Sequence, residues 1–550
     1  MKKADNRRLR TGVVALVGAL AAAFSSGQAL AFKIDVGNPD IDMRWDNTVK
    51  YNAGWRMEGR DRTLADTPTL HGSEYKFGKG DMVTNRIDLL TEFDMIYQGR
   101  YGFRVSGAAW YDAAYDDKVK GNPIYGGASA YPDGKYSSDI KRAYMHSGEL
   151  LDAFVFGRFD LGAVPLNVKV GRHTLYWGES LFTPIHGVSY SQSPADFRKA
   201  LATPGIEAKE LFLPLNQISA QAQLTDTVSV AAQYYLEWDS YRLSDGGTYL
   251  GTFDALFAKG NNLMGLPYEG NRKRGRYGVP DDTGSWGVNV RMSPEWLGGT
   301  LGVYYRNFDD KLPAVLLDPN TFTLHNAYAE DVKLFGVSLS KNIAGISYGA
   351  EVVYRKDTAL NTGFAPDLAI GNTWHALGNM LAYIGKTPVF DSATFMAELT
   401  YSKLDKVKRS SRANFNHVDY AGCASGKKRD GCSTDDAWGV SLGFTPLWYE
   451  AMPGVDLSMP ISYNIGLAGN SPAPGGGNEG SGSWSIGLSF DYKAKYKFDI
   501  AYTDYFGDYY SALSGGSPAG IGPKVLGGTN GNNALLHDRG WLSVTFKTTF

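Results

Sequence analysis

The end of the chain alternates. In Trp541 to Phe550, Leu542, Val544, Phe546 and Phe550 share one parity with Thr548, while Trp541, Ser543, Thr545, Lys547 and Thr549 share the other. Successive side chains of a strand point to opposite faces, so this segment has one apolar and one polar face. The pattern recurs: Val228, Val230, Ala232, Tyr234, Leu236 and Trp238 oppose Ser229, Gln233 and Glu237. Trp484, Ile486, Leu488, Phe490 and Tyr492 oppose Ser485, Ser489 and Asp491, and Tyr496, Phe498, Ile500 and Tyr502 oppose Lys497, Asp499 and Thr503. A soluble sandwich would bury the apolar face. A membrane barrel turns it to lipid and lines its lumen with the polar one. Aromatic residues at strand ends, as at Trp238, Trp286, Tyr354 and Tyr492, fit interfacial girdles and favour the barrel. Closure also pairs every backbone group, which lipid demands.

The pattern predicts strands near 41–55, 82–97, 100–115, 139–157, 165–178, 214–224, 227–238, 284–293, 299–309, 331–341, 344–356, 373–386, 392–404, 437–447, 455–466, 483–493, 496–506 and 540–550. Every second connection is short, as at Gln98-Gly99, Leu161-Gly162-Ala163, Thr225-Asp226 and Ala494-Lys495, and the others are long and rich in Gly, Asn, Asp and Ser. Short periplasmic turns alternating with long extracellular loops is the outer-membrane topology. The expected fold is all-β: a single antiparallel transmembrane β-barrel of about 18 strands (16–18), wide enough for an aqueous channel unless something fills it. The final strand, ending on Phe550, resembles the one that outer-membrane assembly machinery recognises.

Composition agrees. The chain has 66 Gly, 34 Tyr and 12 Trp against only 2 Cys, and no run after residue 31 is long and apolar enough for a spanning helix. Lys2, Lys3, Arg7, Arg8 and Arg10 precede the apolar stretch Thr11 to Phe24, and Ala29-Leu30-Ala31 offers a small-x-small cleavage site. Residues 1–31 are therefore expected to be a signal peptide and 32–550 the barrel. Formal net charge is −2; losing the leader removes five basic residues and Asp5, leaving −6 and no sign of a nucleic-acid partner. Cys423 and Cys432, in one Gly/Lys/Asp-rich loop, are expected to form a local disulfide in an oxidising compartment.

The connection from about Gly178 to Leu213 stands out. Ser193-Pro194 ahead of Ala195 to Leu201, with Pro204-Gly205 behind, predicts a short capped helix, either folded into the lumen or lying over the rim as a lid. Just before it, Leu166, Val168 and Val170 alternate and Gly171-Arg172-His173 breaks the phase. A bulge at Gly171 would turn Arg172 from lipid to lumen. Arg172, His173, Trp177 and Glu179 are then candidates for orienting a substrate at the pore mouth, or else a lumen ion pair and a girdle Trp. Other lumen charges carry both signs: Arg86, Arg104, Arg291, Arg306 and Arg355 against Asp88, Glu92, Asp94, Glu237, Glu351 and Glu398. A filter for one ion class would show a ring of one sign. The basic run Asn271 to Arg276 reads as a solvated loop tip or a contact for lipopolysaccharide phosphates.

Signs of catalysis are weak. Gly345-Ile346-Ser347-Tyr348-Gly349 has nucleophile-elbow spacing, but it opens a strand instead of a strand-to-helix turn. The eight His have no metal-ligand spacing, and no nucleotide-binding fingerprint is present. No enzyme activity, metal or cofactor is expected.

Phe32-Lys33-Ile34-Asp35 running on to Trp45-Asp46-Asn47-Thr48-Val49-Lys50-Tyr51, and Val170-Gly171-Arg172-His173-Thr174-Leu175-Tyr176-Trp177-Gly178-Glu179-Ser180, resemble the proteobacterial outer-membrane domain-of-unknown-function family 1302. The resemblance implies an outer-membrane barrel encoded beside a periplasmic carrier and an inner-membrane transporter of lipid-like molecules, and it supplies no site residues. The expected function is a passive conduit for hydrophobic or amphipathic small molecules, in contact with outer-membrane lipid and lipopolysaccharide. A hydrophilic-solute porin and a non-transport barrel (adhesin, scaffold or surface hydrolase) are the alternatives.

Overall fold

The computed structural model describes residues 32–550 apart from 68–74, 116–117, 126–130, 132, 205, 207, 254–261, 264–265, 273–276 and 514–523. The expected leader lies outside the described residues, as do Lys273 to Arg276 of the basic run.

Eighteen antiparallel strands close into one barrel. They are β1 (Ile41–Arg56), β2 (Met82–Tyr97), β3 (Tyr101–Asp112), β4 (His146–Leu161), β5 (Val164–His173), β6 (Leu215–Gln223), β7 (Val228–Tyr235), β8 (Trp286–Met292) and β9 (Gly299–Phe308). The second half runs through β10 (Val332–Ile343), β11 (Ile346–Ala359), β12 (Ile370–Ile384), β13 (Ser392–Val407) and β14 (Asp436–Met452). It ends with β15 (Val455–Ser458 and Ile461–Ala468, interrupted at Met459-Pro460), β16 (Gly482–Tyr492), β17 (Tyr496–Phe506) and β18 (Trp541–Thr549). Pro460 cannot donate to a ladder, which explains the interruption. β1 pairs with β18 from Thr48↔Thr549 to Arg56↔Trp541, so no sheet edge remains open. At the periplasmic end of β1 a three-residue strand, Phe32–Ile34, pairs with Met43–Trp45.

The turns alternate as the sequence predicts. Gln98-Gly99, Ala344-Gly345 and Lys493-Ala494 take positive φ at both central residues, the geometry that matches a tight turn to the twist of its strands. The parity of the faces also holds. Val288, Val290, Phe335, Val337, Leu399, Ile486 and Leu488 are exposed around the outside, whereas Arg86, Asp88, Gln233, Asn289, Thr373 and Thr545 are buried inside. Tyr305 packs against Trp286 and Phe335, Tyr354 against Trp374, and Tyr401 against Trp438, with the rings tilted, forming an outward aromatic band near the extracellular ends. No helix among the described residues is long and apolar enough to cross a membrane.

Three expectations need correction. Trp238 is not a girdle residue: β7 ends at Tyr235, the chain bends inward, and Trp238 is buried against Tyr328 with its indole N–H donating to the Asp310 carbonyl at 3.3 Å. The fourth strand starts at His146, because Ser137 caps a helical turn (Ser138–Ile140) that runs into a wider turn over Lys141–Met145. The bulge lies on β4, not at Gly171. Val105 faces Ala153 but Gly107 faces Leu150, so Leu151-Asp152 oppose Ser106 alone, while β5 keeps regular register with both neighbours.

Candidate functional site

The connection from β5 to β6, residues 174–214, enters the barrel. The turn-in begins at Gly178 (φ +97°), where a side chain would strike the Glu351 carboxylate, so only glycine permits this approach. Glu351, from the inner face of β11, then accepts the backbone N–H groups of Glu179, Ser180 (3.1 Å) and Val188 (2.6 Å). Glu398, from β13, accepts those of Leu181 (2.6 Å), Phe182 (3.2 Å) and Thr183 (2.7 Å), and the Thr183 hydroxyl. Asn379, on β12 between them, donates to the Glu179 carbonyl at 2.6 Å. A carboxylate is a strong acceptor for several converging amides, and a loop without secondary structure has amides to satisfy when it is buried. Further along, Arg306 of β9 donates to the Val188 and Tyr190 carbonyls (2.9 and 2.6 Å), Asp310 takes the Tyr190 hydroxyl (2.5 Å), and Arg355 of β11 lies 4.0 Å from the Tyr190 ring centre. His186 meets His375 of β12 at 3.2 Å.

The second half of the loop turns to the opposite wall. Asp196 accepts from the Lys199 N–H at 3.1 Å and so caps α1 (Phe197–Ala202), followed by α2 (Ala208–Leu211). The expected helix is there, but Asp196 is its cap instead of Ser193, because Ala195 is held extended in a bridge with Phe212. Lys199 pairs with Glu149 of β4, Lys209 with Glu92 of β2, and Glu210 with Lys50 of β1 at 3.4 Å. One loop therefore spans the lumen from β11–β13 to β1–β4.

A chamber lies on each side. The first, about 510 Å³, is bounded by β2–β4, α1 and the loop after β7. Trp110, Tyr115, Tyr144, Tyr241 and Tyr249 give it aromatic walls, and Lys199 and Arg86 sit 4.5 and 5.2 Å from the Trp110 ring. Most of its charges are paired, Arg242 with Glu149 (2.7 Å) and Arg198 with Asp245 (3.2 Å). Burial pushes the Asp245 carboxyl up to about 6 despite the opposing Arg198 guanidinium. Arg142 and Asp139 also line this chamber and have no ion pair or side-chain hydrogen bond among the described residues. The second chamber, about 520 Å³, lies between Thr183–His186 and the β13–β15 wall, roofed by the loops around 416, 478 and 532.

The sequence-predicted residues do not form one cluster. Arg172 stays on the outward row at the extracellular end of β5, where Glu237 takes its guanidinium at 2.7 Å and also accepts from the Asn216 amide. The depth cost that called for a bulge has faded there. His173 is buried in the wall, its two ring nitrogens 2.9 and 2.8 Å from the Gly171 carbonyl and the Ser219 hydroxyl. Trp177 packs near Tyr304, and its backbone N–H donates to the Gln192 side-chain oxygen at 2.8 Å. Glu179 faces Arg291 at 3.6 Å and belongs to the anchored segment of the loop. Of the balanced lumen charges, Arg86–Asp88 pair along β2 and Arg104–Asp94 between the neighbouring β3 and β2, whereas Glu351 and Glu398 hold the loop, a role that their sequence surroundings do not signal. Arg142, Asp139 and the asparagines of the second chamber were not anticipated; the capping Ser137 was the only local cue to the first two. Arg272, the described cation of the basic run, pairs with Glu269 and Asp318. Cys423 and Cys432 are joined, with Cα atoms 5.8 Å apart. No group of three or more His, Cys, Asp or Glu that could hold a metal occurs among the described residues.

A closed, even-stranded barrel with an apolar belt, a polar interior and a loop folded across it is a transmembrane β-barrel. The chain belongs to the family described as Protein of unknown function (DUF1302), whose model matches residues 12–550. No curated protein matches it. Among solved structures it is similar to Acinetobacter baumannii OccAB1 (11% identity, 96% of this chain and 99% of that one, TM-score 0.41). Others are Pseudomonas aeruginosa OccK2 (OpdF) in complex with glucuronate (10%, 92% and 98%, 0.40) and the A. baumannii outer-membrane channel DcaP (9%, 95% and 100%, 0.36).

Proposed function

We propose that the protein is a passive outer-membrane conduit for small amphipathic molecules, fatty-acid-like or aromatic, that join an apolar body to a charged head. The supporting observation is the first chamber, where Trp110, Tyr115, Tyr241 and Tyr249 offer apolar faces beside Arg142 and Asp139, which have no ion-pair partner among the described residues. Its volume is in the range that encloses a small ligand, and an apolar lining with a few placed polar groups is how such sites orient one. A balanced charge set favours a molecule bound by its body over a bare ion.

The test is to extract the protein in mild detergent and identify co-purifying small molecules by mass spectrometry, with an unrelated barrel from the same membrane as control. Specific enrichment of one amphiphile class, lost in Arg142→Ala, is the expected outcome. Absence of enrichment, together with unselective ion conductance in a planar bilayer, rejects this reading.

A further inference from the structure

The second chamber is built from different chemistry and is independent of the reading above. Its lining is dominated by side-chain amides, hydroxyls and glycine backbone, with Asp430 as its one carboxylate and no Lys or Arg among the described lining residues. Three of its asparagines are braced from behind through their amide hydrogens: Asn361 donates to the Ser433 hydroxyl (3.0 Å) and the Ser471 carbonyl (2.7 Å), Asn416 to the Gly431 carbonyl (3.2 Å), and Asn464 to the Ser483 hydroxyl (2.7 Å). The Oδ1 atom of each accepts nothing among the described residues, and Asn532 and Asn533 make no side-chain hydrogen bond there. The result is a cavity with neutral acceptors, two amides able to donate and accept, and the aromatic ring of Phe253 in its lining.

We infer that this chamber is a binding site for neutral polyhydroxylated molecules, saccharides of one or two rings. A sugar presents many hydroxyl donors at fixed spacing and an apolar C–H face. It needs several neutral acceptors and one ring to lie against, and it gains nothing from a charge. An anionic solute would lose hydration in a cavity whose described lining offers it no Lys or Arg. A purely apolar one would leave the asparagine oxygens desolvated and unpaired. The volume, about 520 Å³, accommodates a ligand of this class.

The experiment is saturation-transfer NMR on the full barrel in a detergent without a sugar headgroup, with maltose, sucrose and glucuronate as probes. Saturable transfer to the two neutral disaccharides, weaker for glucuronate, is expected. N532A/N533A should weaken it roughly five- to tenfold, as loss of two neutral hydrogen bonds does. R142A, in the other chamber, should leave it unchanged, and near-native circular dichroism shows that both variants remain folded. Absence of saturable transfer, equal transfer to glucuronate, or sugar binding that survives N532A/N533A overturns the assignment. Loss of amphiphile enrichment with sugar binding retained would reject only the first-chamber reading.

Discussion

The two chambers have nearly the same volume, about 510 and 520 Å³, yet opposite chemistry. The first sets two cations over the Trp110 ring among paired carboxylates. The second has braced amides and almost no charge. What separates them is one loop, fastened to one wall through its backbone and to the other through lysine–carboxylate and glutamate–lysine pairs. Shape alone would make the two interchangeable, and the side chains on either side of the partition make them different.

The most severe way to break the comparison is to unfasten the partition. In E351Q/E398Q the amides lose their charged acceptors, costing about 3 kcal/mol at each position. Single-channel conductance in a planar bilayer should then rise several-fold as the chambers merge. Unchanged conductance would mean that the loop does not occlude the lumen.

Acid should loosen the same contact more gently. Burial first, and then the Arg355 guanidinium, hold the His186 imidazole down to about 4. A released loop would take up that proton near 6.5, so the anchored state is fully favoured above that pH and loses about 3 kcal/mol as pH falls toward 4. Conductance recorded while the extracellular side is acidified should increase over that window, and His186→Asn should flatten the response. A pH-independent trace in the native protein would remove His186 from the anchor.

A smaller and local effect is expected in the first chamber. D139A should weaken binding of an amphiphile with a cationic head by a few-fold, with no change for one carrying a carboxylate; R142A should do the reverse. Titration of both ligands against both variants checks this, and equal losses would mean that the two residues do not read the head group. Smallest of all, R172A should lower thermal stability by no more than about 1 kcal/mol and leave conductance unaltered, because its pairing with Glu237 lies at the outer end of the wall.

The barrel was legible because lipid imposes one period on every strand: wherever β16 or β18 meets the membrane, alternate residues must be apolar, and no tertiary detail overrides that. Where the period ends is harder to see. Trp238 continues the parity of β7 but lies beyond its last ladder pair, and the inward bend depends on contacts with Asp310 and Tyr328, which are remote in sequence. Arg172 prompted a bulge because its depth was unknown, while the real bulge at Leu151-Asp152 leaves no apolar or charged residue conspicuously out of place. The helix in the inward loop was visible from its composition, one cap too early. The anchors were not: Glu351 is more than 160 residues from the amides that it holds, and a lumen glutamate looks the same in sequence whether it faces an arginine or a backbone. The second chamber was hidden for the opposite reason. Asparagine and glycine are ordinary loop residues, and only the folded loops gather them around one space.

Because Glu351 and Glu398 grip peptide N–H groups, these hydrogen bonds are blind to the identities of Leu181 and Phe182. Any residue there except proline supplies the same donor. Those two positions can drift in evolution, or be rewritten in the laboratory, while the wall that receives them stays constant. One barrel can in this way carry interchangeable inserts, each fastened by the same two carboxylates.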